Sequence, residues 1–142
     1  MIHVTHLVYA CAAMVLLVFI VGCRMLFCRV QEMRKNKISP QRVATSQQMS
    51  AMLQNVQAAD NFRNLFEVPV LLYVLCVMAI SVGHTPTWLV MGAWLFVVLR
   101  YIHSAIHCTY NRVMHRFRVY GASFLLLVVL WMAFLITLPT TA

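Results

Sequence analysis

The sequence predicts an all-α protein, an up-down antiparallel bundle of four transmembrane helices. Three observations lead there. First, apolar residues make up 63% of the 142-residue chain and charged residues only 10%. Soluble domains are roughly half apolar and about a quarter charged. A soluble fold of this size could not hide so much apolar surface, whereas lipid accepts it. Second, the chain contains long stretches without Lys, Arg, Asp or Glu. A helix rising about 1.5 Å per residue needs roughly 20 such residues to cross a hydrocarbon core. Third, the basic residues gather in the connections between these stretches.

The first uncharged stretch, Met1 to Cys23, gives a span over about 4–27. Basic residues follow it and none precede it, which argues against a cleaved signal peptide. A polar connection over about 28–58 comes next. Ser39-Pro40 can start a helix there, with Pro at the first helical position. Helix formers without Gly or Pro follow from Gln41, so the helix is expected to run continuously into a second span at 62–82. The uncharged stretch from Val68 to Leu99 is too long for one helix. Gly83-His84-Thr85-Pro86 breaks it with turn-forming residues. A third span is therefore expected at 87–108, and a fourth at 117–138, ending near Leu138-Pro139. The whole of 1–142 reads as a single membrane domain.

An even number of helices puts both termini on one side. Arg24, Arg29, Arg34, Lys35, Lys37 and Arg42 flank or occupy the first connection, and Arg112, Arg116 and Arg118 the third. The positive-inside rule sends both connections to the cytoplasm and both termini outside. Topology and anionic lipid thus account for the net charge of +8, and no nucleic-acid-binding motif accompanies it. The tail Thr140-Thr141-Ala142 holds no retrieval motif, which points to a bacterial inner membrane. The five cysteines are odd in number and lack a C-x-x-C pair. They read as small apolar helix residues, with neither a disulfide framework nor structural zinc.

Two places break the apolar pattern. Where the second span enters the membrane stands Asp60-Asn61-Phe62-Arg63-Asn64-Leu65-Phe66-Glu67-Val68-Pro69. On a helix, Arg63, Asn64 and Glu67 share one face, with Asp60 a turn earlier. Late in the third span, Arg100, His103 and His107 form a second stripe, continued by Tyr110, Asn111 and His115. Ionisable residues inside a span face a bundle interior or a water-filled cavity. Glu67 is expected to pair with Arg100 or Arg63. Taken singly, each such residue is ordinarily a structural ion pair or a snorkelling end. Their concentration at one depth, beside Arg112 and Arg116, favours a pocket for an anionic ligand. His103 and His107 have metal-ligand spacing, but Arg100 on the same stripe repels a cation, so no metal site is assigned.

These residues resemble the MAPEG family, membrane-associated proteins in eicosanoid and glutathione metabolism. The four-span layout covers essentially the whole chain. The specific part is Arg63-Asn64-x-x-Glu67-x-Pro69 on the second helix, Arg100-x-x-His103 on the third, and Arg116 with Tyr120 on the fourth. The resemblance implies a homotrimer that binds glutathione between neighbouring subunits near the cytoplasmic face. It also implies a lipophilic co-substrate arriving from the bilayer. Arg63, Asn64, Glu67, Arg100, His103, His107 and Arg112 are then the binding residues, with guanidiniums for the carboxylates and Glu67 for the ammonium. The role of Arg116 is to stabilise the thiolate, with Tyr120 as a neighbouring donor. A free thiol has a pKa of about 8.5, and lowering it by two units takes about 2.7 kcal/mol. Arg24 and Arg29 are both candidates for a first-helix arginine of the site. Two positions depart from many eicosanoid-pathway members: Asp60 stands where they have Arg, and His107 where they have Tyr. The expected function is a glutathione-dependent transferase or peroxidase for lipophilic electrophiles or hydroperoxides. The alternative is a non-catalytic scaffold or regulatory protein of the same fold.

Overall fold

The computed structural model describes residues 1–54 and 56–138, with backbone only at Ser46 and Ser50. Pro139 and the Thr140-Thr141-Ala142 tail lie outside the described residues. The elements in order are α1 (Ile2–Lys35), a 3₁₀ turn (Pro40–Val43), α2 (Ser46–Met52), α3 (Gln57–Asn64), α4 (Val68–Ser81), α5 (Thr87–Cys108) and α6 (Val113–Thr137). No strand occurs among the described residues. Four segments are long and apolar enough to cross a membrane: Ile2–Lys35, Gln57–Ser81, Thr87–Cys108 and Val113–Thr137. The chain is an all-helical integral membrane protein.

The C-terminal ends of α1 and α4 and the start of α2 are closed locally. After α4, Gly83 takes φ 71°, a left-handed conformation that suits glycine. The His84 N–H then returns to the Ala79 carbonyl at 3.0 Å and the Gly83 N–H to Ile80 at 3.2 Å, which is a Schellman closure. α1 ends the same way, with Ile38 N–H on the Met33 carbonyl at 2.9 Å and Lys37 at φ 53°. Thr45 and Gln48 form a reciprocal capping box at the start of α2.

The expected continuous helix from Gln41 into the second span does not form. Pro40 opens only the 3₁₀ turn, and the chain breaks again after Met52 and at Leu65-Phe66-Glu67. The last break has a clear cause. A proline ring collides with the carbonyl four residues before it, so Pro69, in the first turn of α4, disfavours a helix carried through Leu65. The stripe drawn through Arg63, Asn64 and Glu67 assumed that continuity, and the turn interrupts it.

The helices alternate in direction. At one end His3 Nδ1 donates to the Thr85 carbonyl at 2.8 Å, and His84 Nε2 meets Thr137 Oγ1 at 3.1 Å. The start of α1, the α4–α5 turn and the end of α6 therefore lie together. At the other end Arg24 donates to the Cys108 carbonyl at 2.6 Å, and the basic residues collect there. α1 buries a single stripe, Leu7, Ala10, Met14, Leu17 and Val21, at the spacing of one helix face. That stripe joins Leu72 and Leu75 of α4, Phe96 of α5 and Leu127 and Phe134 of α6 in one core. Val15, Phe19, Leu125, Val129 and Ile136 point outward, where lipid is their solvent.

Small residues set the closest approach. A methyl group added at Gly92 of α5 would run into the Leu130 side chain of α6, and both residues are buried. Gly92→Ala should lower stability in detergent by about 1–3 kcal/mol, as overpacking does. The Gly92→Ala, Leu130→Ala pair should lose less than the sum of the single losses. Thermal unfolding of the three variants checks this; additive losses would show that the helices simply move apart.

Candidate functional site

The regular helix of α5 carries Arg100, His103, Ser104 and His107 inward, all of them buried. At its end Asn111 takes φ 44°, a conformation that Asn tolerates, and its N–H bonds back to the Ile106 carbonyl at 2.9 Å. The chain thus reverses within a few residues, and the first turns of α6 lie against the last turns of α5.

That reversal assembles the site. Arg116 Nη1 donates to Asn111 Oδ1 at 2.9 Å and to His107 Nε2 at 2.8 Å. His107 therefore accepts at Nε2, and in the neutral ring its proton sits on Nδ1. His103 Nδ1 donates to the Arg116 carbonyl at 3.3 Å, so in its neutral ring Nε2 holds the free lone pair. The two imidazoles stand edge to face, with centroids 5.6 Å apart. His103 also lies 5.7 Å from the Tyr120 ring.

Beneath them, Arg100 is 0% exposed. Its guanidinium lies over the Tyr120 ring at 4.9 Å and the Phe96 ring at 5.1 Å. Cation–π contact offsets part of the cost of burial. All three of its nitrogens, with His103 Nε2 and His107 Nδ1, are buried without a hydrogen-bond partner among the described residues. No hydrogen bond forms between Glu67 and Arg100 among the described residues, and the carboxylate acts on the guanidinium only through space. Five such atoms in one place mark a region arranged for hydrogen-bonding partners of its own.

Asn64, His103, Val113, Arg116, Phe117 and Tyr120 line a cavity of about 210 Å³. Arg116 reaches its two partners through Nη1 alone, which leaves the donors of Nε and Nη2 for whatever occupies the cavity. Of the residues expected from the sequence, Asn64, His103, Arg116 and Tyr120 face the cavity, and Arg100 and His107 pack behind it. Arg63, Glu67 and Arg112 are exposed and do not line it. A larger hollow of about 580 Å³, with Gln31, Lys35 and Gln54 among its lining, also lies at the basic end. It contains none of the assigned residues.

The sequence reading missed a second polar network. Asn61, 0% exposed, donates to Cys108 Sγ at 3.4 Å and accepts from Ser104 at 3.3 Å. Arg24 closes the same corner by its bond to the Cys108 carbonyl. Asn61, in the polar run that leads into the second span, and Ser104, beside the Arg100 and His107 stripe, were the available signal. Arg24 is thereby engaged at the end of α5, while Arg29 is half-buried.

An unpaired buried cation is destabilising, and replacing buried charge by an apolar group of similar size is often stabilising by about 1–4 kcal/mol. Arg100→Met should accordingly raise the unfolding midpoint of the ligand-free protein and abolish its stabilisation by anionic ligands. A lower midpoint without ligand would show that Arg100 already has a partner in the assembled protein.

The model of the MAPEG family matches residues 7–136 of the chain. Among the curated proteins and among the solved structures, none matches.

Proposed function

The chain belongs to the MAPEG family, and on that premise we propose that it is a glutathione-dependent membrane transferase or peroxidase acting on lipophilic electrophiles or hydroperoxides. The observation that carries this reading is Arg116. It is fixed by His107 and Asn111, it lines the cavity, and it keeps two guanidinium nitrogens for a ligand. A guanidinium in a low-dielectric site favours a thiolate over a thiol. His103 Nε2 is the acceptor placed to take the thiol proton. The Tyr120 hydroxyl is the neighbouring donor. The thiolate then attacks an electrophilic carbon or the outer oxygen of a hydroperoxide.

Ligand pockets for molecules of this size measure roughly 300–1,000 Å³. A cavity of about 210 Å³ accommodates the thiol end of a tripeptide and not the whole. A homotrimer, in which a neighbouring chain supplies the remaining wall, resolves the mismatch. Arg63, Glu67 and Arg112, exposed in a single chain, would then receive the carboxylates and the ammonium. The basic end faces the cytoplasm and both termini lie outside, as the positive charges direct; a bacterial inner membrane suits this layout.

The test is calorimetric titration of glutathione into the detergent-purified protein, beside Arg116→Ala and Glu67→Gln. Glu67→Gln should weaken binding. Arg116→Ala should weaken it too, lower the ultraviolet thiolate absorbance of the complex, and reduce kcat/KM on a model electrophile about a hundredfold, the equivalent of about 2.7 kcal/mol. Wild-type affinity no better than that of Arg116→Ala, in a folded protein, would favour the non-catalytic scaffold. Asp60, which repels carboxylates, speaks for that alternative.

A further inference from the structure

α3 brings Asn64 to the cavity, yet the span that follows does not hold it there. The turn at Leu65-Phe66-Glu67 separates α3 from α4, so neighbouring helices must set its orientation. On one side the Phe62 ring lies close to Gly22 of α1, where an added methyl group would meet the ring edge at 3.1 Å. Apolar contact of this kind is not directional, so it holds α3 against α1 without fixing how far it slides or rolls. The other side is polar. Asn61 is 0% exposed and Ser104 3%. The Ser104 hydroxyl donates to Asn61 Oδ1 at 3.3 Å, and Asn61 Nδ2 donates to Cys108 Sγ at 3.4 Å. Successive turns of α5 thus hold both ends of one carboxamide.

We propose that Asn61 is a positioning residue: held by Ser104 and Cys108, it sets the register of α3 against α5 and so keeps Asn64 at the cavity wall. Hydrogen bonds are directional, and a buried network meets little competition from water. Asn64 follows Asn61 by one turn on the same face of α3. It lines the cavity with His103, which precedes Ser104 on α5. Arg24 steadies the anchor itself, since it donates to the Cys108 carbonyl at 2.6 Å.

The effect is selective. Arg116 is anchored by His107 and Asn111, neither of which is on α3. Loss of the clamp should therefore weaken the hold on the ligand through Asn64 and leave the group that stabilises the thiolate in place. The ligand named for Asn64 rests on the glutathione reading above; the clamp between α3 and α5 does not.

The full chain is purified in detergent as the wild type, Asn61→Leu, Asn64→Ala and the Asn61→Leu, Asn64→Ala pair. Asn61→Leu, Ser104→Ala is made as well, because removing both partners of a buried hydrogen bond can be nearly neutral for stability. Hydrogen–deuterium exchange of the ligand-free proteins, read by mass spectrometry, reports the clamp. Both variants that lose Asn61 alone or with Ser104 should exchange faster over Gln57–Asn64 by about tenfold, with α4 and α6 unchanged. Calorimetry with glutathione reports the consequence. Asn64→Ala and Asn61→Leu should each weaken binding about tenfold, and the pair no more than Asn64→Ala alone, since one residue acts through the other. At saturating glutathione, kcat of Asn61→Leu on a model electrophile should stay within about twofold of wild type, a split that general loss of structure would not give. Unchanged exchange in α3, losses that multiply in the pair, or kcat falling with affinity would each overturn the proposal. A wild type that fails to bind glutathione, while α3 exchange responds as expected, would sink the glutathione reading and still support the clamp.

Discussion

Everything in this protein answers to one constraint: hydrocarbon offers no hydrogen-bond partner. The backbone meets it with helices, and the helix ends meet it with local closures, as at Gly83 and Lys37. Polar side chains within the spans meet it by finding one another or a carbonyl. Tyr101 donates to Ala13 at 2.8 Å and Trp131 to Leu71 at 3.2 Å, each tying two spans. Asn61, Ser104 and Cys108 satisfy each other in the interior. Arg100 is where the constraint is openly violated, and it stands beside the only other buried unpartnered atoms found among the described residues.

The spans were legible because hydropathy is additive along a chain, and lipid reads that sum. The inward stripe of Arg100, His103 and His107 was legible for a related reason. α5 is regular from Thr87 to Cys108, so spacing translates directly into facing. The approach to the second span was not. At Leu65-Phe66-Glu67, the last of its breaks, the helix-forming tendency of the segment competes with a steric clash that Pro69 exerts four residues upstream. No period in the sequence announces which effect wins. Cross-helix pairings were illegible for a different reason. That Arg116 would meet His107, or Arg24 the Cys108 carbonyl, depends on the tight reversal at Asn111, and a left-handed Asn is one option among several in such a loop.

His107 illustrates how a departure from a family pattern can be absorbed. Tyrosine at this position would offer a hydroxyl, donor and acceptor at once. Neutral histidine offers one acceptor nitrogen, and here it is aimed at Arg116 at 2.8 Å. The substitution keeps an acceptor for the guanidinium while adding a buried Nδ1–H that has no partner among the described residues. A ligand oxygen or a water at that nitrogen would complete it. The departure thus changes the hydrogen-bonding demand of the pocket and leaves the arginine anchored.

Asp60 cannot be absorbed in the same way. It is exposed at the basic end, one turn before Asn64, on the helix that also carries Arg63. A carboxylate there subtracts from the positive field that Arg63 and Arg112 offer to an approaching anion. In the proposed trimer those arginines and Glu67 surround the mouth of a cavity too small to hold glutathione alone. The arrangement then admits the ligand by its thiol end, where Arg116 and Tyr120 act at short range. The outer charges, partly cancelled by Asp60, contribute less. On the proposed function, affinity in such a site would be modest, whereas stabilisation of the thiolate, which would depend on Arg116 and Tyr120, would be undiminished. An enzyme working in millimolar glutathione loses little by that division, because binding energy common to ground state and transition state does not raise the rate once the site is filled.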